Sequence, residues 1–282
     1  MMIPALPHII FEDLVRRTLL EDLGRAGDIT SDAIIPEGRQ TMMAFIAREP
    51  GIVAGLDVAA LAFRLVDPAI VMDRECADAS EVSAGETLAR IRGSARALLT
   101  AERTALNFLC HMSGIASATA MLCKAVKGHK ARIVCTRKTT PGLRALEKYA
   151  VRAGGGANHR FGLDDAILIK DNHIAIAGGI RPAVERARAH AGHLVKIEVE
   201  VDTLAQLEEL LPLGADAVLL DNMPVETLRQ AVTMIDGRLI SEASGGITAA
   251  TAAAVAATGV DLISCGWLTH STRALDIGLD CT

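Results

Sequence analysis

A chain of 282 residues, half of them apolar and with a net charge of −5, buries a large core, which excludes disorder, and its acidity argues against duplex nucleic acid as a partner. One Trp, one Tyr and five Phe are too few for a base-stacking platform, whereas the abundant Ala, Leu, Ile and Val suit helix–sheet packing. Six cysteines (76, 110, 123, 135, 265, 281) form no CxxC pair, so reduced thiols and a cytoplasmic location are expected.

The opening MMIPALPHIIFEDLVRR gains acidic residues too early for a secretory signal, and no apolar run is expected to span a membrane. From Pro7 to Leu23 the positions Ile9, Ile10, Leu14, Leu19, Leu20 and Leu23 recur at helical intervals, with Gly24 placed to stop the helix. Gly27-Asp28-Ile29-Thr30-Ser31-Asp32 follows as a polar loop, either a capping turn or a ligand contact. Strands are expected over 41–47 and 51–54, a short helix over 55–66, and short strands with turns over 70–92, so the first hundred residues form a small α+β unit. Ser94 opens a long helical tract that Ser113-Gly114 is expected to interrupt. Within it Glu102-Arg103 sits among leucines, where a charged side chain either snorkels or pairs with an acid. His111 lies beside Cys110, but adjacent helical residues point about 100° apart, so the two do not converge on a metal or form a nucleophile pair.

After Lys130 strands and helices alternate. Strands are expected over 132–136, 166–169, 194–201, 216–220, 238–242 and 260–264, with helices over 143–153, 180–191, 203–211, 224–235 and 248–257. The later strands recur about every 22 residues, the rhythm of a parallel βα barrel, but six strands leave it incomplete or completed by irregular pieces.

Residues 136–173 hold seven Lys and Arg against four Asp and Glu, a local charge of +3 in a chain of −5. Ligands of such barrels bind at the carboxyl ends of the strands. There the candidate strands deliver Arg137-Lys138, Lys170, Glu200, Asp221, Ser244-Gly245-Gly246 and Cys265-Gly266, and His159-Arg160 follows a triple glycine. Cations gathered at strand ends suit a polyanionic small molecule. Ser244-Gly245-Gly246 before an Ala-rich helix offers bare N–H groups and a helix N-terminus to a phosphate, though tight turns alone also use such glycines. Glu200 and Asp221 are candidates for Mg²⁺ or for sugar hydroxyls, while Glu198 and Lys196 share a strand face with Glu200, where a mutual salt bridge is the alternative to a ligand contact. No Walker A and no GxGxxG motif occurs.

Taken together, Thr136-Arg137-Lys138-Thr139-Thr140-Pro141-Gly142, the glycine run ending at His159-Arg160, Leu168-Ile169-Lys170-Asp171-Asn172-His173, Glu198-Val199-Glu200-Val201, Leu220-Asp221-Asn222-Met223, Glu242-Ala243-Ser244-Gly245-Gly246 and Thr269-His270-Ser271 resemble the quinolinate phosphoribosyltransferase family. The resemblance runs from Glu21-Asp22 to Asp276-Ile277. It implies an N-terminal α/β sandwich domain over 1–113, joined by 270–282, and an open, incomplete parallel βα barrel over 114–269. It implies reaction of quinolinate with phosphoribosyl pyrophosphate and Mg²⁺ to give nicotinate mononucleotide, pyrophosphate and CO₂, in a homodimer or higher even oligomer whose Arg103 crosses the interface. Arg137, His159, Arg160 and Lys170 would hold the quinolinate carboxylates, with Lys138 and Lys170 near the pyrophosphate. Glu200 and Asp221 would serve ribose and Mg²⁺, and Thr136, Ser244 to Gly246 and Cys265 to Trp267 would complete the substrate site. Trp267 departs from the small residue expected after the glycine. Three rivals stand beside this reading: a related phosphoribosyltransferase-like protein for another aromatic acid, a Schiff-base aldolase using Lys170, and a non-catalytic sensor of a phosphorylated ligand.

Overall fold

The structure, a computed structural model, describes residues 3–282. In chain order its strands are β1 (Gln40–Ala47), β2 (Gly51–Ile52), β3 (Val71–Arg74), β4 (Glu81–Val82), β5 (Thr87–Ser94) and β6 (Arg132–Val134). They continue as β7 (Ile167–Ile169), β8 (Ile197–Val201), β9 (Ala217–Asp221), β10 (Ile240–Ser244), β11 (Leu262–Ser264) and β12 (Ile277–Cys281). Residues up to Ala120, Thr140–Gly155 and Ser271–Thr282 form one unit, and Met121–Thr139 with Gly156–His270 form another.

In the first unit an antiparallel sheet runs β12-β1-β5-β3, and the C-terminal segment supplies its edge by placing Ile277 opposite Ala47. Helix Leu56–Val66 is apolar almost all round, and Phe63 meets Phe45 of β1 edge-on with ring centroids 5.9 Å apart. The polar segment after Gly27 is a capping turn: Asp28 accepts the Ser31 N–H at 3.0 Å and starts helix Ile29–Ile34. Helix Ala95–Ala125 runs unbroken for 31 residues, against the expected break at Ser113-Gly114. Gly114 is there for close approach, since a methyl at this position would overlap the Arg273 carbonyl oxygen and stand 2.9 Å from the Ala274 Cα. Contrary to the expectation that no apolar run reaches that size, this helix is long and apolar enough to cross a membrane by length and composition. Its apolar side is used within the fold, where Leu98, Ala101, Ala105, Leu109, Met112 and Ala116 are fully buried.

The second unit is an open α/β barrel. Its six parallel strands lie in the order β6-β11-β10-β9-β8-β7, so β6 and β7, successive in the chain, are the two edges. Helices Ile180–His190, Leu204–Leu210, Val225–Ile235 and Ala249–Ala256 bury Val184, Leu207, Ala231 and Val255. An irregular strap extends the β6 edge: the Ala157 N–H donates to the Ile133 carbonyl at 2.8 Å and its carbonyl accepts the Cys135 N–H at 3.2 Å. The strap carries the next residues, His159 and Arg160, to the end where β6 delivers its own cations. Strand β10 begins and ends two residues later than the expected 238–242, which puts Ser244 on the strand rather than in the loop. Asp171–Ala177, read as a plain motif in the sequence, is a further short helix.

Candidate active site

Because the barrel strands run parallel, the residues that end them meet on one side. A cleft of about 370 Å³ opens there. Thr136, Arg137 and Lys138 reach it from β6, His159 and Arg160 from the strap, Lys170 from β7, Glu200 from β8, Asp221 from β9 and Ser244 from β10. The sequence reading places all of these at the rim. Leu168, Leu219, Glu242 and Ser264 also line the cleft and were not singled out. Glu242 carried a readable signal, because it stands two residues before Ser244 on one strand and therefore shares its face.

The rim is rich in cations. Lys170 Nζ lies 2.6 Å from Glu200 Oε2. Lys130, Lys170 and Lys196 each have an acid partner, whereas Lys138 has no ion pair among the described residues. Arg160 donates through Nη1 to the Ala166 carbonyl at 3.1 Å, and its Nε has no partner among the described residues. Burial, and after it the positive charge of Arg137, lowers the pKa of Arg160. Such a group gains from an arriving anion.

The floor is different. His159 Nε2 is 2.9 Å from Glu198 Oε2 and 3.8 Å from Glu242 Oε2. The Arg160 backbone N–H donates to His159 Nδ1 at 2.7 Å, so the ring proton sits on Nε2 and is given to Glu198. Glu242 is 1% exposed, and neither of its oxygens has a hydrogen-bond partner among the described residues. The Ser264 hydroxyl is close enough to favour the charged carboxylate, but it is turned to the Ala243 carbonyl, 3.5 Å away. Burial first, and then Glu198, pushes the Glu242 carboxyl up to about 7. The ligand atoms of His159, Glu198 and Glu242 lie within 4.8 Å of one another, a spacing that suits a metal ion. Coordination through Nε2 would move the ring proton to Nδ1, where it would face the Arg160 N–H, so the donor pattern favours a proton over a metal. Glu200 and Asp221 are all-oxygen donors at neighbouring strand ends and suit Mg²⁺.

The glycine loop borders the cleft rather than lining it. Asn222 adopts a left-handed conformation (φ 53°), donates its N–H to the Ser244 carbonyl at 2.9 Å and gives its side-chain amide to Asp221 Oδ2 at 2.6 Å. Gly245 (φ +99°) packs against that amide so closely that a methyl would collide with it. Asp221 and the Ser244–Gly246 loop are thus set by one contact. Cys265 is buried, and burial followed by Glu242 pushes its thiol up to about 12, which leaves it inert. Gly266 touches the rim, since a methyl there would stand 3.1 Å from Lys138 Cδ. Trp267 fastens the loop, because its indole N–H donates to the Ile247 carbonyl at 2.9 Å. Arg103 is exposed on helix Ala95–Ala125 and is not among the residues that line this cleft.

The family models described as quinolinate phosphoribosyl transferase, N-terminal domain and C-terminal domain match residues 28–113 and 115–280. The chain is 49% identical over 274 residues to the nicotinate-nucleotide pyrophosphorylase (carboxylating) of Mycobacterium leprae, covering 95% of this chain and 96% of the relative. Its fold matches the nicotinate-nucleotide pyrophosphorylase of Francisella tularensis with a TM-score of 0.94 at 41% identity, over 99% of this chain and 98% of the other. The corresponding protein of Ehrlichia chaffeensis gives a TM-score of 0.93 at 38% identity, over the whole of both chains (100% each).

Proposed function

Since the chain belongs to the quinolinate phosphoribosyltransferase family, we propose that its barrel cleft is where quinolinate and phosphoribosyl pyrophosphate meet. The protein is a decarboxylating quinolinate phosphoribosyltransferase of NAD biosynthesis. Two anions must be brought together, and the rim cations offset their repulsion in a partly desolvated cleft. Arg137, Arg160 and Lys170 hold the quinolinate carboxylates, and Lys138 with Lys170 faces the departing pyrophosphate. The resemblance gives His159 a carboxylate as well. Both its ring nitrogens already hold partners, so it reaches the substrate only by releasing one and otherwise braces Arg160.

Glu200 and Asp221 favour the positive charge that grows on the ribose. They would also hold Mg²⁺, which when bound supplies positive charge to the pyrophosphate. Ser244 to Gly246, with Gly266 and Trp267, cradle the 5′-phosphate at the start of helix Ala249–Ala256. The pyridine nitrogen attacks C1 as pyrophosphate leaves. Once quaternised, the ring accepts the electron pair released as the adjacent carboxylate departs as CO₂.

We place the reaction in a homodimer in which an exposed Arg103 enters the neighbour's cleft, and in the cytoplasm, a compartment supported by six free thiols. Mixing Arg103→Ala with Arg160→Ala protein should restore activity that each lacks alone, because hybrid dimers contain one intact site. The single observation that carries the assignment of the site is the convergence of Arg137, Lys138, Arg160 and Lys170 on one cleft beside Glu200 and Asp221. Purified protein given quinolinate, phosphoribosyl pyrophosphate and Mg²⁺ should release CO₂ and form nicotinate mononucleotide; no product at any Mg²⁺ concentration would sink the reading. The aldolase alternative finds no support, since Lys170 is bound to a carboxylate at 2.6 Å with a half-exposed side chain instead of lying in an apolar pocket.

A further inference from the structure

We propose that Glu242 is the acid that protonates the ring carbon vacated by CO₂. The inference rests on the function given above and adds a residue to it. Loss of CO₂ breaks the bond between the carboxylate carbon and the ring carbon beside the quaternised nitrogen, and both electrons stay on that ring carbon. One proton must reach that carbon as CO₂ leaves, before the electron pair recaptures it. In the step proposed, the O–H bond of Glu242 breaks, a C–H bond forms on the ring, and Glu242 is left as a carboxylate that water reprotonates before the next turnover.

Geometry makes Glu242 the proton holder. It lines the cleft from β10, yet it is 1% exposed and neither oxygen has a hydrogen-bond partner among the described residues. A carboxylate so placed lacks what an ion needs in a low-dielectric interior, and it takes up a proton instead. Of the groups that face it, Glu198 on β8 contributes a like charge that works in the same direction, Cys265 after β11 contributes a neutral thiol, and the Ser264 hydroxyl, which would favour the carboxylate, is turned to the Ala243 carbonyl. His159 on the strap is the one cation-capable neighbour, but its Nε2 proton is committed to Glu198 at 2.9 Å and stands 3.8 Å from Glu242. One ring proton thus serves one of two carboxylates. The raised pKa of Glu242 agrees with that division. Of the other carboxyl groups that line the cleft, Glu200 is paired with Lys170 and Asp221 accepts the Asn222 amide, so Glu242 alone among these three lacks a hydrogen-bond partner among the described residues. Once deprotonated, Glu242 would be a buried anion beside the Glu198 carboxylate, which favours its prompt reprotonation.

The test separates the two halves of the reaction. In single turnover with quinolinate, phosphoribosyl pyrophosphate and Mg²⁺, Glu242→Gln keeps shape and polarity but carries no transferable proton. Pyrophosphate should appear at close to the wild-type rate, while CO₂ release and nicotinate mononucleotide formation slow by about 10²-fold or more, the scale of a lost general acid. Equal CO₂ and pyrophosphate rates at the wild-type level would overturn the proposal, as would an equal fall in both. Should the variant not fold, the wild type decides: its CO₂ step should lose rate as pH rises through neutrality along a limb absent from the pyrophosphate step, and identical profiles would overturn the proposal. A wild type that forms no product from these substrates would instead count against the function itself.

Discussion

The two ends of the barrel carry clefts of nearly equal size, about 370 Å³ at the carboxyl ends of the strands and about 360 Å³ at the amino ends. Both are lined by charge, and the pairing of that charge differs. At the amino ends Lys130 meets Asp261 at 2.9 Å and Lys196 meets Asp216 at 2.5 Å. Asp261 also accepts the Ser241 N–H at 2.9 Å and the Ser241 hydroxyl at 2.7 Å, and Asp216 accepts the Ile197 N–H at 2.9 Å. Those carboxylates finish the backbone ladder and are neutralised in place. At the carboxyl ends Lys138 has no acid partner among the described residues, and Arg160 has its pKa lowered by burial and by Arg137. Volume does not identify the working end of this barrel: Arg238 at the amino ends is turned to the Met234 and Ile235 carbonyls, whereas Arg137, Lys138, Arg160 and Lys170 converge at the carboxyl ends.

The largest effects expected from that contrast fall on catalysis. Lys138→Ala and Arg160→Ala should each lower kcat/KM by about 10²–10³-fold, the scale of a lost electrostatic donor, with little change in melting temperature. Asp261→Asn at the other end should show the reverse pattern, with near wild-type turnover and lower stability. Steady-state assays run beside thermal melts would break the contrast if Asp261→Asn lost activity as Lys138→Ala does. Next in size is Gly245→Ala. Its positive φ and its collision with Asn222 predict a loss of about 1–3 kcal/mol in stability together with weaker catalysis through a displaced Asp221, measured by urea unfolding and kcat.

The carboxyl-end cluster was legible because charges directly after apolar β-branched runs stand out against the sequence, as Arg137-Lys138 does after Ile133-Val134. The parallel βα barrel was equally legible from the even spacing of later strands, though not the order that sets β6 beside β11. Glu242 was not read as a site residue because Ser-Glu-Ala-Ser looks like ordinary alternation, and only the fold shows that no partner meets it. The unbroken helix through Ser113-Gly114 was missed because a sequence does not reveal that the Arg273 backbone passes so close. Trp267 stood out as a bulky departure, yet its role, a hydrogen bond to the Ile247 carbonyl, needed the loop in place. Trp267→Phe should therefore remove one hydrogen bond, cost about 0.5–1.5 kcal/mol in stability and raise the KM for phosphoribosyl pyrophosphate more than it lowers kcat. An unchanged KM would detach Trp267 from the phosphate loop.

The smallest predicted effect tests the quiet end of the barrel. Burial would raise the pKa of Asp261, but the Ser241 hydroxyl and N–H together with Lys130 outweigh it and hold the carboxyl below its ordinary 3.8. A carboxyl depressed in the folded state binds its proton less tightly there than in the unfolded chain. Its stabilising contribution is therefore complete above the unfolded pKa and is lost as pH falls through the folded one. Asp261 is partly open to solvent, so its net contribution at pH 7 should be only about 0.5–1 kcal/mol. Urea unfolding of wild type and Asp261→Asn should show that gap at pH 7 and pH 5 and a smaller gap by pH 3. A gap that stays constant to pH 3 would mean that Asp261 acts through its shape and hydrogen bonds rather than its charge, and the amino end would then differ from the carboxyl end in packing more than in neutralisation.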